Sequence, residues 1–407
     1  MSEGARSLTP PLAVLAASAA LLAGCDVGDI RQPPPRHTAV APPPVAPPPV
    51  ASRPVPAEPA EVRRARVTVP DGYAQQHLEF VDAEHGYVLF TRCPVRPSGG
   101  EPPPTGGGAG SEPAEPPGGR DPECAALLFA TADGGRSWQP LRHPRPVSRS
   151  PQLYAAGTEL LLLAEPHGWY ASGDRGRSFT HLPITPDPPA AYRRLLGRFQ
   201  VCCDGDPVPR VVEWTGGSSR PVPAQPELPG LGDVAYAGEH LVAAGFRDGR
   251  PYGAVSRDAG RTWARPAVPV PGGDPAPAPG EELAMVRPLV AADGDAWLVG
   301  YRQGRLDFPY LWWYAAGRWE PVPATGHPAR FTSLVALGGW TLAVTTPEGT
   351  GLVSGGAYQP TDWPGDLAGL RRLDDGTLFG PASSGGGWLG PGRYLDRRWI
   401  RVLLLAN

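Results

Sequence analysis

An eight-residue pattern, [ST]-x-D-x-G-x-[ST]-[WF], occurs three times in this protein of 407 residues. Its copies are 131–138 (TADGGRSW), 172–179 (SGDRGRSF) and 256–263 (SRDAGRTW). In each copy the Asp can cap its own turn by accepting backbone N–H bonds, and the Gly two positions later can take a positive φ. The Ser or Thr hydroxyl can close the loop before an aromatic residue begins the next strand. The pattern therefore predicts three β-hairpins of one kind, each with a hydrophobic residue fixed at its end.

The spacing of the copies indicates a longer repeat. Asp133, Asp174 and Asp258 are separated by 41 and 84 residues, and the second distance equals two units of 42. A degenerate copy is expected near residue 216, where 211–220 keeps the strand, the glycine turn and the hydroxyls without the Asp and the aromatic residue. Three later segments repeat the hairpin without its Asp: 312–319, 351–358 and 388–394. Repeats of about 40 to 50 residues built from short strands are typical of propeller blades.

The complete copies resemble Asp boxes, also called BNR repeats, the hairpins of the sialidase-like and Vps10-like β-propellers. The resemblance implies that each Asp lies on the turn between the third and the outermost strand, far from the central axis, where its own turn uses its hydrogen bonds. We therefore predict a structural role for the key positions, and we expect Trp263 to fill space between the fourth and fifth blades. These positions are Asp133, Gly135, Trp138, Asp174, Gly176, Phe179, Asp258, Gly260 and Trp263.

From residue 64 onward the sequence is made of short β-type segments separated by Gly, Pro and Asp turns, without a helical period. We predict an all-β fold, a seven-bladed β-propeller over residues 64–407 with four strands in each blade. The blades are expected at 77–138, 152–184, 192–225, 232–270, 283–324, 332–363 and 368–405. The segment 66–69 is left over and can pair with the last blade, which would close the ring and remove its edge strands.

Residues 1–24 have the features of a signal peptide. Arg6 precedes the apolar stretch 12–22, which is too short to span a bilayer, and Leu-Ala-Gly-Cys25 follows at once. This ending resembles a bacterial lipobox, which implies cleavage before Cys25, lipidation of its sulfur and an extracytoplasmic protein anchored to the cell membrane. An ordinary secretory signal or an uncleaved anchor is the alternative.

The proline-rich residues 25–63 cannot form sheet ladders and predict an extended, disordered stalk. Recognition of these prolines by a partner is the alternative.

Four cysteines remain after the lipidated one. Cys93 and Cys124 flank a Gly/Pro/Glu-rich insertion, 94–123, that we expect to be disordered and that interrupts two adjacent strands of the first blade. If those strands pair, the two sulfurs face each other, so we predict a disulfide between them. Cys202 and Cys203 then form a vicinal disulfide or remain thiols. A redox or metal role is the alternative, although no His or second pair of cysteines lies at ligand spacing.

Composition and missing motifs narrow the function. A net charge of -3 argues against a phosphate-binding surface, so no nucleic-acid partner is expected. A sialidase-like site needs three arginines around a carboxylate, a Tyr-Glu nucleophile pair and an acid/base Asp. The early Arg-Ile-Pro motif of that family is absent, the sequence at 66–70 does not replace it, and no Tyr-Glu pair can be carried over. We therefore assign no catalytic residue, no cofactor and no metal.

The face opposite the Asp boxes is the candidate binding face, formed by loops that join the second and third strands of each blade. Arg, acidic and aromatic groups from different blades would converge there around the axis, where propellers usually bind. The candidates are Arg247, Arg250, Arg302, Arg305 and Asp307. The plain alternative is that these are solvated turn residues.

We thus expect a non-catalytic, monomeric lipoprotein that binds an unknown protein or glycan at the cell envelope. The alternatives are a sialidase-like glycoside hydrolase acting on glycans and an assembly factor for a membrane complex.

Overall fold

The computed structural model describes residues 58–94, 123–202, 208–215, 217–270, 283–302, 307–393 and 395–406. All of them lie in one compact unit, Ser52–Asn407. Several predicted features lie outside the described residues: the signal peptide, Cys25, nearly all of the stalk, most of the insertion, Cys203 and Arg305.

The described residues form 29 strands and one short helix. The first part of the sequence forms β1 (Glu61–Val67), β2 (Ala74–Phe80), β3 (Gly86–Arg92), β4 (Cys124–Thr131), β5 (Gln139–Leu141), β6 (Val147–Ala156), β7 (Glu159–Glu165), β8 (Gly168–Ser172), β9 (Thr180–Leu182), α1 (Ala190–Leu195), β10 (Phe199–Cys202), β11 (Arg210–Thr215) and β12 (Ser218–Pro221). The middle part forms β13 (Leu231–Ala237), β14 (His240–Arg247), β15 (Arg250–Ser256), β16 (Leu283–Val290), β17 (Ala296–Arg302), β18 (Tyr310–Ala315) and β19 (Arg318–Val322). The last part forms β20 (Ser333–Gly338), β21 (Thr341–Thr346), β22 (Gly349–Ser354), β23 (Ala357–Pro360), β24 (Arg371–Arg372), β25 (Leu378–Pro381), β26 (Gly387–Gly390), β27 (Gly392–Arg393), β28 (Asp396–Arg397) and β29 (Ile400–Ala406).

Most strands form small antiparallel sheets in sequence order. The strands β10 to β12, β13 to β15, β16 to β19 and β20 to β23 form four separate sheets. The groups β2 to β5 and β6 to β9 share a sheet, because Cys124 and Ala125 of β4 pair with β6. The last large sheet has the order β1-β29-β26-β25-β24. Such a succession of small sheets, each made from neighbouring segments, is the topology of a β-propeller. The prediction of an all-β propeller is therefore confirmed.

The third group, β10 to β12, and the fourth group, β13 to β15, have three strands each instead of the predicted four. In the third group, α1 stands where the first strand was expected. Pro189 precedes the helix with a φ of -64°, which suits a helix start. Tyr192 packs its ring against Tyr154 and Trp169 of the neighbouring sheet. The expectation of an all-strand unit is wrong here because a six-residue helix is too short to show a helical period in the sequence.

The first and last of the described strands pair with each other. Strand β1 lies parallel to β29, in a register that runs from Glu61 opposite Ile400 to Val67 opposite Ala406. Ala65 and Val67 are buried in one core cluster with Val402. The leftover segment therefore does pair with the last sheet and covers its edge. The strand begins at Glu61, three residues before the boundary at residue 64 that the sequence suggested.

The predicted disulfide is confirmed. Cys93 and Cys124 are bonded, with their Cα atoms 4.1 Å apart. Cys93 follows β3 and Cys124 begins β4. The antiparallel pairing of these two strands places Arg92 opposite Ala125. Cys202 is buried, and Nη1 of Arg193 lies 3.4 Å from its Sγ.

Candidate functional site

The three eight-residue turns share one hydrogen-bond geometry. In the first copy, Asp133 Oδ1 accepts from Ser137 N at 2.9 Å and from Thr131 Oγ1 at 2.8 Å, while Oδ2 accepts from Ser137 Oγ at 2.6 Å. The corresponding distances are 2.9, 2.7 and 2.6 Å around Asp174. Around Asp258 they are 2.9, 2.8 and 2.7 Å. Both oxygens of each carboxylate are therefore used inside the turn.

These hydrogen bonds keep the carboxylates ionised. The hydroxyl and backbone donors of their own turns lower the pKa of Asp174 and of Asp258 to about 2. Partial burial raises the pKa of Asp133, but its hydrogen bonds outweigh that effect and its pKa is also about 2. A carboxylate with such a low pKa is a poor proton donor at neutral pH. The geometry therefore favours a structural role for all three.

The fifth position of each turn is glycine in all three copies, and both its backbone conformation and its packing require glycine. Gly135, Gly176 and Gly260 have φ values of 90°, 83° and 79°. A Cβ at these positions would lie 2.7 to 2.8 Å from a side chain of the preceding group of strands. The side chains met are Val402, Leu141 and Val222, respectively. Each turn therefore wedges against its neighbouring sheet, where only glycine fits.

The Trp residues of the first and third turns pack in the same direction. Trp138 is 7% exposed and lies in one core cluster with Val402 of the last large sheet. Trp263 packs in the cluster that includes Val222, and its Nε1 donates to Ala224 O at 2.9 Å. Trp263 therefore packs against the third group of strands, and the expected position between the fourth and fifth is wrong. The reason is that Gly260 of the same turn lies against Val222 of the third group, so the ring that follows packs on that side.

The turns also define two faces of the propeller. Their backbone N–H groups bond to the turn between the first and second strands of the same group: Gly134 to Glu84 O at 2.7 Å, Arg175 to Thr158 O at 3.1 Å and Ala259 to Glu239 O at 2.9 Å. We call this end of the strands the turn face. Because the strands are antiparallel, the loops between second and third strands lie at the other end, which we call the opposite face.

The residues predicted for the opposite face are not gathered into one site. Arg247 and Arg250 face each other across the end of the β14–β15 hairpin, and both are exposed. Arg302 ends β17 and lines one cavity, whereas Arg250 lines another. Asp307 forms an isolated β-bridge with Arg330.

A polar cluster that the sequence analysis missed lies at the start of the first strands. Asp233 and Arg287, from β13 and β16, line one cavity of about 370 Å³, and both act electrostatically on Tyr301 near the end of β17. The Asp233 carboxylate accepts one hydrogen bond, from its neighbour Val234. Among the described residues, the side chains of Arg287 and Tyr301 have no hydrogen-bond partner. The signal in the sequence was Arg287, the single charge within the strand LAMVRPLV.

The cluster has perturbed protonation equilibria. Burial raises the pKa of Asp233, although the Val234 amide and the Arg287 guanidinium lower it in part. Burial also raises the pKa of Tyr301, with Arg287 lowering it and Asp233 adding to the rise. Titratable groups perturbed in this way beside a cavity are candidates for a functional site.

The described residues offer neither a metal centre nor a helical membrane span. They include no group of three or more His, Cys, Asp or Glu side chains placed to hold a metal ion. They also include no helix with the length and apolarity needed to cross a bilayer.

Comparisons with known proteins give no family for this chain and only distant similarity to solved structures. The sequence matches no protein-family model and no curated protein. Among solved structures, YCF48 bound to D1 peptide has 15% identity and a TM-score of 0.37, over 79% of this chain and 92% of that chain. YCF48 from Cyanidioschyzon merolae has 12% identity and a TM-score of 0.39, over 78% and 95%. A GH74 xyloglucanase from Xanthomonas campestris has 17% identity and a TM-score of 0.27, over 79% and 46%.

These likenesses carry no argument about function, since every one of the three TM-scores is below 0.5. The propeller assignment rests on the order of the sheets, and function has to be argued from the site.

Proposed function

We propose that this protein is a seven-bladed, non-catalytic β-propeller that binds a protein partner or a glycan through its opposite face. The seven groups of strands are its blades, and the eight-residue turns are Asp boxes that hold neighbouring blades together. The observation that carries the binding role is the cluster of Asp233, Arg287 and Tyr301, whose hydrogen-bonding capacity is largely unused beside a cavity.

The chemistry of this cluster suits a polar, uncharged ligand surface. Asp233 supplies an acceptor, Arg287 supplies donors, and the Tyr301 hydroxyl supplies both. The charges of Asp233 and Arg287 cancel, so neither a strongly acidic nor a strongly basic ligand is favoured. Peptide groups and sugar hydroxyls both present donors and acceptors together, which matches the cluster.

Glycoside hydrolysis is supported less well than binding. Most glycoside hydrolases use two carboxyl groups that flank the scissile bond, at separations of about 5 to 9.5 Å. Among the described residues that line this cavity, Asp233 is the one carboxyl group. The Asp residues of the eight-residue turns lie at the other end of the strands and use both oxygens in their own turns.

The binding proposal is tested by comparing capture by the fragment 58–407 and its variants. Immobilised Asp233→Asn and Arg287→Gln proteins should lose partners, or glycan-array signals, that the unchanged fragment retains. Asp258→Asn is the matched control, because it makes the same chemical change on the turn face. Capture that is identical in all four proteins would contradict the proposal. Hydrolysis of a glycan that depends on Asp233 would replace it with the enzyme hypothesis.

We also propose that the protein is a lipoprotein of the cell envelope, with a signal peptide at 1–24, lipid on Cys25 and a stalk that ends near residue 60. The support is the Leu-Ala-Gly-Cys sequence and the prolines that follow it. Cys25→Ser should release the protein from membranes or leave its signal uncleaved. A variant that fractionates and migrates like the unchanged protein would contradict lipidation. Capture of membrane-complex subunits would favour the assembly-factor alternative.

A further inference from the structure

Arg302 is a cation whose guanidinium lacks a polar partner among the described residues. Its guanidinium carbon lies 4.5 Å from the ring centroid of Tyr310. The described residues give it no hydrogen bond or ion pair, and its Nε is buried without an acceptor. A buried N–H group that lacks an acceptor has lost its hydrogen bonds to water without replacing them. Such a group therefore gains free energy when an acceptor reaches it.

The cavity beside Arg302 has mainly apolar walls. Its volume is about 360 Å³, and its lining includes Pro309, Pro321, Pro323 and the rings of Tyr310 and His327. His327 in turn stacks on Phe308, with centroids 4.4 Å apart. Rigid proline and aromatic walls lose little entropy when a ligand fills the space between them. The cavity therefore combines one guanidinium with a preformed apolar surface.

The larger cavity on the turn face is less suited to a charged ligand. It measures about 730 Å³ and is lined by acidic and basic groups together. Two of its acidic side chains already accept backbone hydrogen bonds: Asp293 from Gly339 N at 2.8 Å, and Asp375 from Ala83 N at 2.8 Å. The cavity beside Arg302 is therefore the better defined of the two.

We propose that the cavity beside Arg302 binds a carboxylate attached to an apolar group on a protein partner. Two N–H groups of the guanidinium would pair with the two carboxylate oxygens, since the planar fork matches that geometry. The apolar group would lie between the prolines and His327. Both the C-terminus of a polypeptide and an Asp or Glu side chain present this chemistry. The inference rests on the proposed binding function and assigns a ligand class to one part of the opposite face.

The test uses small probes and the fragment 58–407. N-acetyl-L-leucine and N-acetyl-L-phenylalanine supply the carboxylate and the apolar group, and their amides differ only in charge. Ligand-observed NMR titration should show at least tenfold weaker binding of the amides, a difference of about 1.4 kcal/mol. Arg302→Gln should remove the difference between acid and amide. Arg318→Gln should leave it unchanged, because Arg318 is an exposed arginine at the turn-face end of β19 and does not line this cavity.

The source of the carboxylate is separated by two capped dipeptides. N-acetyl-Leu-Leu with a free C-terminus tests the main-chain carboxylate, and N-acetyl-Leu-Asp-amide tests that of a side chain. Equal binding of acids and amides, unchanged discrimination in Arg302→Gln, or the absence of binding by every acid would each overturn the inference. Failure here with capture that still depends on Asp233 leaves the proposed function standing. If the acids bind through Arg302 but capture does not depend on Asp233, the binding site is the cavity beside Arg302 and not the cluster at Asp233.

Discussion

Each eight-residue turn holds two consecutive residues in the left-handed region of backbone space. The first of them is Gly134, Arg175 or Ala259, with φ values of 69°, 61° and 56°. This conformation costs a residue with a side chain roughly 1 to 2 kcal/mol, whereas glycine adopts it freely. The second and third turns therefore carry strain that the first one avoids.

A pair of opposite substitutions measures this strain. Ala259→Gly should raise the free energy of unfolding by about 0.5 to 1 kcal/mol, because the relief exceeds the entropy that glycine adds to the unfolded state. Gly134→Ala should lower it, since its Cβ would lie 2.7 Å from the backbone oxygen of Ala83. Urea unfolding of both variants gives the two values. Changes of the same sign would contradict the assigned turn geometry.

Acid should weaken the fold through the turn carboxylates. The pKa of Asp174 and of Asp258 in the folded protein is about 2, below the ordinary value of 3.8. The stability that they contribute is therefore present above about pH 4 and is lost as the pH falls toward 2. The melting temperature of an Asp174→Asn, Asp258→Asn double variant should lie below that of the unchanged protein at pH 5, and the gap should close near pH 2. A gap that stays constant would contradict the low pKa values.

At the scale of elements, side-chain hydrogen bonds join the turns of neighbouring sheets on the turn face. Asp293 Oδ2 accepts from Gly339 N, and Asp295 Oδ2 accepts from Trp340 N at 2.6 Å. Asp375 makes the same kind of bond to Ala83, between the last large sheet and the first group of strands. Together with the aromatic residues of the eight-residue turns, these bonds fix one sheet against the next.

Removal of a turn aromatic should therefore separate two sheets. Trp138→Ala should lower the free energy of unfolding by roughly 3 to 5 kcal/mol, because the ring is buried and leaves a cavity. Trp263→Ala should cost less, since that ring is only partly buried. Trp340→Ala is the control, at 37% exposure, and should cost least. Thermal melting ranks the three variants, and a Trp138→Ala protein as stable as Trp340→Ala would contradict this packing.

Much of the fold could be predicted because it depends on residues close in sequence. The turn at Asp133 closes on its own hydroxyl donors, and the disulfide joins two strands that pair as neighbours. The cluster at Asp233 could not be predicted in this way, because its members come from three strands of two sheets. Arg302 could be predicted as a candidate because it lies at a loop of the opposite face. Its stacking on Tyr310 could not, because it depends on how β18 lies beside β17.

At the scale of the whole molecule, β1 closes the last large sheet. Arg63 is 9% exposed and donates from Nη1 to Gly134 O at 2.7 Å, so it also ties this strand to the first eight-residue turn. Glu61 forms ion pairs with Arg63 at 2.9 Å and with Arg136 at 3.0 Å. The N-terminal end of β1 therefore lies on the turn face.

Deletion of β1 should expose an edge of that sheet. The fragment 68–407 should melt at a lower temperature than 58–407 and should aggregate, because β29 would then present unpaired backbone groups. The fragment 61–407 is the control, since it keeps all seven residues of β1. Equal melting of 58–407 and 68–407, with no increase in light scattering, would show that the closure adds nothing to stability.

The parallel pairing of β1 with β29 also determines how the domain responds to mechanical force. Tension from the N-terminal side reaches the domain at Glu61, the first residue of β1, on the turn face. The ladder of seven residue pairs is then loaded in shear, so its hydrogen bonds share the load instead of peeling apart one by one. Forced unfolding is governed by the unfolding barrier. A pull at residue 58 is thus resisted by the whole ladder and by the Arg63 contact at its loaded end.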